Sequence, residues 1–188
     1  MESLSVVRLA IFIVLTSALI VCSWRSLHNS CSHGFYRFFA FEGILALVLI
    51  NAPFWYRDIF SPLQIVSWIL LFLSIFLVVQ GFHFLRKLGG ARQVREVAAE
   101  NLGFENTTEL VTDGVFKYIR HPMYCSLMLF TWGVLLKNIT SLSFSAALIS
   151  TVFLIATAKV EEMENILFFG GSYKDYMRKT KGFIPRLF

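Results

Sequence analysis

The chain has 188 residues, of which 56% are apolar, 16% aromatic and only 15% charged. A soluble domain averages about 25% charged residues. This deficit, with a mean hydropathy of +0.66, excludes an ordinary soluble globular protein and indicates a single polytopic membrane domain over residues 1–188. The net charge of +5 comes from basic residues whose placement sets an orientation, described below, and no nucleic-acid partner is expected.

Five apolar segments predict an all-α integral membrane protein with spans at about 4–24, 38–56, 63–85, 122–136 and 139–160. The first, Leu4 to Trp24, lacks a basic region ahead of it, since Arg8 is the first cation, and no A-x-A-like site follows, so it is expected to be a retained span. The second, Phe38 to Tyr56, carries Glu42 near its end, and Asn51-Ala52-Pro53 kinks or ends it. Ser61-Pro62 opens the third as cap and first helical residue. A connector, 86–121, leads to the fourth. That segment is short, because about 15 residues reach only about 22 Å against a hydrocarbon core of about 30 Å. Either its helix starts earlier or its His121-Pro122 end sits below the headgroups. The Lys137-Asn138 link is tight, so spans four and five are expected to form a helical hairpin whose far ends share one side.

The fifth apolar pattern continues through Ile166, Leu167, Phe168 and Phe169 to a stop at Gly170-Gly171. A cytosolic tail, 161–188, follows, with a short helix from Ser172 in which Ser172 and Asp175 make a capping-box-like start. Basic residues give the orientation: fourteen (Arg25 and Arg37; Arg86 to Arg120; Lys159 to Arg186) fall on one side, against Arg8, Arg57 and Lys137 on the other. The N-terminus is therefore expected outside, and the connector, the tail and the C-terminus in the cytosol. The cysteines Cys22, Cys31 and Cys125 form no C-x-x-C pair, and His28 and His33 do not share a helix face, so neither a metal site nor a disulfide framework is expected.

The chemistry concentrates at Arg120-His121-Pro122-Met123-Tyr124, set directly against the apolar run Cys125 to Leu136. Ionisable groups at such a border are costly and usually have a task. Glu161, Glu162 and Glu164 lie at the end of the fifth span, inside its helix. Glu161 and Glu164 share a face and repel unless a cation is near, for which Lys159, Arg120 or a bound ligand are candidates. The hairpin would bring Glu161 and Glu162 beside Arg120, His121 and Tyr124, with Glu161 as the expected partner.

These motifs occur in a fixed order: Gly114-Val115-Phe116, Arg120 to Tyr124, Glu161-Glu162, Phe169-Gly170-Gly171-Ser172-Tyr173-Lys174-Asp175-Tyr176, and Phe183-Ile184-Pro185. As a set, over about Thr108 to Phe188, they resemble the C-terminal half of isoprenylcysteine carboxyl methyltransferases. The first half of the chain matches only in hydropathy. Arg-His-Pro-x-Tyr alone is shared with phospholipid methyltransferases and membrane sterol reductases.

The resemblance implies S-adenosylmethionine as cofactor, in a cytosolic pocket closed by the connector and tail. Glu109, Leu110 and Val111 would line it with backbone groups. Phe116 stands where the family often has tyrosine. His121, Pro122, Met123 and Tyr124 would contact the cofactor, and Glu161 would hold one of its polar groups. Arg120, Thr157 and Glu162 would shape the substrate side, and Thr157 stands where the eukaryotic enzymes place an arginine near the substrate carboxylate. The implied acceptor is lipophilic or lipid-linked, enters from the bilayer, and presents a prenylcysteine carboxylate or an analogue.

No residue is assigned as catalytic. A carboxylate acceptor is already ionised, so alignment and water exclusion would supply most of the catalysis, whereas an amine acceptor would need Glu161 or Glu162 as base. A phospholipid or amine methyltransferase and an NADPH-dependent membrane reductase are the alternative enzymes. A transporter or adaptor would show paired polar residues midway along several spans, and apart from Glu42 these spans carry almost none.

Overall fold

The computed structural model describes residues 2–89 and 107–184. The middle of the connector, with Arg92 and Arg95, and the end of the tail, with Pro185 and Arg186, lie outside the described residues. All regular elements among the described residues are helical: α1 (Glu2–Cys22), α2 (Trp24–Leu27), α3 (His33–Asn51), α4 (Pro62–Leu88), α5 (Pro122–Leu135), α6 (Ser141–Phe169) and α7 (Gly171–Lys179). Short 3₁₀ turns follow α3 at Ala52–Phe54 and precede α5 at Gly114–Lys117.

Among the described residues, four helices are long and apolar enough to cross a membrane: α1 over Ser5–Cys22, α3 with its 3₁₀ extension over His33–Phe54, α4 and α6. The fourth apolar segment is α5, and its 14 residues give only about 21 Å at the helical rise. It begins at Pro122, so the helix does not start earlier. A proline at the first helical position loses no hydrogen bond, because that amide has no intrahelical partner.

Local sequence explains most helix ends. Ser61 Oγ accepts from the Gln64 amide at 3.4 Å and Pro62 follows, as the sequence predicts. Thr140 and Ser143 form a capping box at the start of α6. Gly170, at φ 60° and ψ −128°, ends α6 in a backbone region that disfavours side chains.

Two boundaries differ from expectation. Ser32 caps α3, its hydroxyl accepting from the Gly34 amide at 3.2 Å, so α3 starts at His33 and not near Phe38. Glu42 is therefore midway along the helix, where the Thr16 hydroxyl of α1 donates to it at 2.8 Å. The expected Ser172–Asp175 cap is not formed. Gly170 turns α6 directly into α7, which leaves Ser172 inside the helix and Asp175 accepting from Arg178 at 3.2 Å.

The packing pairs α3 with α6 and α4 with α5, and α5 also lies against α6. One core cluster joins Ala40 and Ile44 of α3, Tyr124 of α5, Leu154 and Ala158 of α6, and Phe183 of the tail. Another joins Leu47, Leu71, Val134, Leu135 and Ala147. Between apolar helices in lipid, polar contacts and small residues carry much of the specificity. Here Ser67 donates to the Gly133 carbonyl at 2.6 Å, and Asn51 donates to that of Val134 at 2.8 Å.

The α5–α6 link is fastened by Lys137, which is 4% exposed. Its ammonium donates to Gln64 Oε1 at 3.0 Å and lies 3.7 Å from the Trp68 ring centroid, while its carbonyl accepts from Gln64 Nε2 at 3.1 Å. A desolvated cation–π contact contributes about 2 kcal/mol. Lys137→Met is accordingly expected to lower the thermal unfolding midpoint in detergent, and Lys137→Arg to lower it less. Equal midpoints for wild type and Lys137→Met would show that the cage is not stabilising.

Candidate functional site

The site is assembled where the segment before α5, the end of α6 and the tail converge. The Gly89 carbonyl at the end of α4 accepts from the amides of Thr108 and Glu109 at 3.0 and 3.3 Å, which fastens the returning connector to α4. Gly114, at φ 62°, then presses against Phe84, and a Cβ there would lie 2.2 Å from the ring. Both the backbone angle and the contact require glycine.

The tail closes the other side. Arg120 and His121 donate backbone hydrogen bonds to the carbonyls of Lys181 and Gly182 at 2.8 and 3.1 Å, and Ile119 bridges Lys181 in parallel. The Tyr176 hydroxyl of α7 donates to the Phe116 carbonyl at 2.6 Å.

Glu162 is the electrostatic centre of this junction. Arg120 Nε and Nη2 lie 2.8 and 2.7 Å from Glu162 Oε1, and His121 Nε2 lies 3.2 Å from the same oxygen. Arg120 Nη1 also donates to the carbonyls of Thr180 and Met177 at 2.5 and 3.3 Å. One arginine thus ties the entry of α5 to α6 and to the tail. The His121 ring stacks on Tyr124, with centroids 5.6 Å apart, and meets Phe183 at 5.8 Å. The sequence reading takes Glu161 as the partner of Arg120 and His121; the structure gives that place to Glu162. The two carboxylates are about 100° apart around the helix, so the rotation of α6 against α5 decides between them.

Glu161 instead borders a cavity. Leu110, Val111, Phe116, Arg120, His121, Pro122, Met123 and Tyr124 line the same cavity, so nine of the residues singled out in the sequence converge there. Three do not line it. Glu109 is exposed. Thr157 is buried, and its hydroxyl donates back to the Phe153 carbonyl at 2.7 Å. Glu162 is engaged in the ion pair just described. Glu161 makes no hydrogen bond or ion pair with the described residues, while Glu164 is taken up by His33, whose Nδ1 lies 2.6 Å from Glu164 Oε2 and whose amide donates to Oε1 at 3.0 Å. Glu164, expected to face Glu161, is thus taken up by a histidine of α3.

The cavity also has walls that the sequence did not single out, Arg37 and Phe41 of α3 and Asn165 of α6, and it is completed by Phe169 of α6 and Tyr173 and Tyr176 of α7, which belong to the motif set but have no individual role assigned there. The tyrosines carried a signal, since a three-residue spacing puts both on one face of a short helix. In the sequence Arg37 stands between two apolar segments, as a loop-side cation.

Burial raises the phenol pKa of Tyr173, and the negative charges of Glu161 and Glu162 raise it further. Burial likewise raises that of Tyr176. A raised folded-state pKa favours the neutral phenol in the fold. That stability is full below the unfolded value of about 10 and is lost as pH rises beyond it. Absorbance titration is expected to show two of the six tyrosines ionising only with alkaline unfolding. Six ordinary titrations in folded protein would contradict the buried geometry.

The phospholipid methyltransferase family model matches residues 62–170, which is more than half of the chain and covers α4 through the end of α6. The chain belongs to the phospholipid methyltransferase family. The matched stretch includes the Arg120–Glu162 junction and Glu161, whereas α3 and α7 lie outside it.

The chain is similar to a methanethiol S-methyltransferase of Crocosphaera subtropica, 28% identical over 128 residues, covering 68% of this chain and 46% of that protein. It is also similar to the protein-S-isoprenylcysteine O-methyltransferase of Schizosaccharomyces pombe, 38% identical over 79 residues, with 40% of this chain and 33% of that protein covered. The enzyme of the same name from Dictyostelium discoideum is 38% identical over 81 residues, with 40% and 32% covered. The chain spans less than half the length of these relatives. No solved structure matches it.

Proposed function

We propose that the chain transfers a methyl group from S-adenosylmethionine to a lipophilic or lipid-linked acceptor at the cytosolic face of a membrane. The observation that carries this reading is Glu161, a carboxylate unpartnered among the described residues, in a cavity walled by Tyr124, Phe169, Tyr173 and Tyr176. The donor set fits the cofactor. A carboxylate suits its ammonium and sulfonium charges, aromatic faces attract a sulfonium by the same electrostatics as any cation, and the phenols and His121 can donate to its oxygens.

When bound, the cofactor supplies an electrophilic methyl group on a positively charged sulfur. The chain's part is alignment and exclusion of water. The Glu162–Arg120 junction holds the entry of α5 and the tail in place, and Phe183 covers His121. A carboxylate acceptor needs no proton removed. A thiol or amine acceptor does, and Glu161 is the carboxylate that borders the cavity.

The topology proposed with this reading has five spans. Here α5 is a short fourth span in a hairpin with α6, its Pro122 end below the headgroups, the N-terminus outside and the pocket cytosolic. Such a sunken entrance would admit an acceptor from the bilayer. The prenylcysteine carboxylate is the acceptor that the motif set favours. A thiol is the second reading, favoured by the methanethiol S-methyltransferase likeness and by Thr157, which places no cation on that turn of α6.

Isothermal titration of the folded protein in nanodiscs with S-adenosylmethionine tests the reading. Binding is expected, weakened at least about tenfold by His121→Ala, which corresponds to about 1.4 kcal/mol. The proposal fails if folded wild-type protein does not bind. Labelled methyl transfer to a prenylcysteine analogue, to thiols and to lipid extracts then separates the acceptors.

A further inference from the structure

The three carboxylates at the end of α6 are directed away from its outer face. Glu162 pairs with Arg120, Glu164 pairs with His33, and Glu161 borders the cavity. The outer face carries the opposite charge. Lys159, Met163 and Leu167 follow one another along it at four-residue spacing, and all three are exposed, Leu167 at 86%. They prolong the exposed apolar stripe of Ile149 and Val152.

The 29 residues of α6 give about 44 Å at the helical rise, against a hydrocarbon core of about 30 Å. An upright α6 would carry Leu167 out into water, whereas a tilted one keeps Met163 and Leu167 at the acyl boundary. Lys159 extends toward the end of the helix, its ammonium 4.0 Å from Glu162 Oε2. A lysine does so when its stem lies against lipid and its head reaches the phosphates.

Gly170 then turns the chain into α7, where Tyr173 and Tyr176 face the cavity. Lys174 and Lys179 lie away from it, exposed and without an ion pair among the described residues. The acid of α7, Asp175, is held by Arg178 at 3.2 Å. An apolar stripe that runs into uncompensated cations is the pattern of an interfacial contact with anionic lipid. A soluble acidic partner would account for the lysines but not for the apolar stripe, which is continuous with a lipid-facing one.

We infer that the outer face of the α6 end and of α7 docks on the anionic phospholipid headgroups of the leaflet at this end of the bundle. Met163 and Leu167 enter the acyl boundary, and Lys159 and Lys174 contact phosphates. Because Tyr176 bonds the Phe116 carbonyl and Ile119 bridges Lys181, docking also steadies the segment that closes the cavity. The inference is independent of the methyl-transfer reading.

Native mass spectrometry of the full chain, released from nanodiscs of equal phosphatidylglycerol and phosphatidylcholine, tests it. Wild type is expected to retain phosphatidylglycerol over phosphatidylcholine at least about tenfold. The Lys159→Gln/Lys174→Gln variant is expected to lose most of that preference, and neither residue lines the cavity. Tryptic cleavage of wild type at Lys179 and Lys181 is expected to be slower with phosphatidylglycerol present than in phosphatidylcholine alone. Should the double variant not fold, wild type at raised salt serves in its place, because screening should abolish the preference. A wild type without lipid preference, a preference that survives both lysine substitutions or raised salt, or equal cleavage in the two lipids overturns the inference. Binding of polyglutamate by a wild type without lipid preference assigns the face to an acidic protein and overturns it as well.

Discussion

Glu162→Ala is expected to destabilise the protein by about 3–5 kcal/mol, the loss typical of removing one partner from a buried ion pair. Glu162, Arg120 and His121 have side chains only 8%, 11% and 3% exposed. Removing the carboxylate leaves a buried guanidinium and an imidazole without their shared acceptor. Arg120 also holds the carbonyls of Met177 and Thr180, so the tail should loosen as well. Two measurements check this: the thermal unfolding midpoint, and the rate of tryptic cleavage at Lys179 and Lys181. Both should change strongly in Glu162→Ala. Arg178→Ala is the control, because its pair with Asp175 is exposed and such pairs contribute about 0–1 kcal/mol. A wild-type midpoint and cleavage rate in Glu162→Ala would mean that the junction does not hold the site together.

Glu161→Gln, one residue away, should behave in the opposite way. Glu161 has no hydrogen bond or ion pair with the described residues, so its unfolding midpoint is expected to stay near wild type. Its affinity for S-adenosylmethionine is expected to fall at least about tenfold, or about 1.4 kcal/mol, because a neutral amide no longer opposes the ligand's positive charges. The substitution carries an internal readout. Glu161 contributes to raising the Tyr173 phenol pKa, so less stability is lost at alkaline pH and the unfolding with which Tyr173 ionises should move to higher pH in Glu161→Gln than in wild type. Unchanged affinity would remove Glu161 from the proposed site. A large fall in the midpoint would make it a structural residue.

The contrast between these neighbours shows how far the sequence could be read. The motif residues Leu110 to Tyr124 do converge on one cavity, because Pro122 fixes the start of α5 and Gly114 permits the close turn on Phe84. The continuation of α6 to Phe169 was legible in its unbroken apolar pattern and in Gly170. The start of α3 was not, since His33, Gly34 and Arg37 look like a polar loop until Ser32 caps them and α6 supplies Glu164. Neither Arg37 nor Phe41 carries a local mark of belonging to the cavity. Their membership arises from a contact between helices far apart in sequence.

The sequence by itself determined the helices, most of their ends and the chemical types gathered near Arg120. Composition, apolar runs and capping residues are local properties, and they act on the chain before any tertiary contact forms. Only the tertiary structure decided which carboxylate clamps and which is left to face a ligand. That choice depends on the rotation of α6 against α5 and α3. The rotation is fixed by long-range contacts such as His33 with Glu164, which no local pattern encodes.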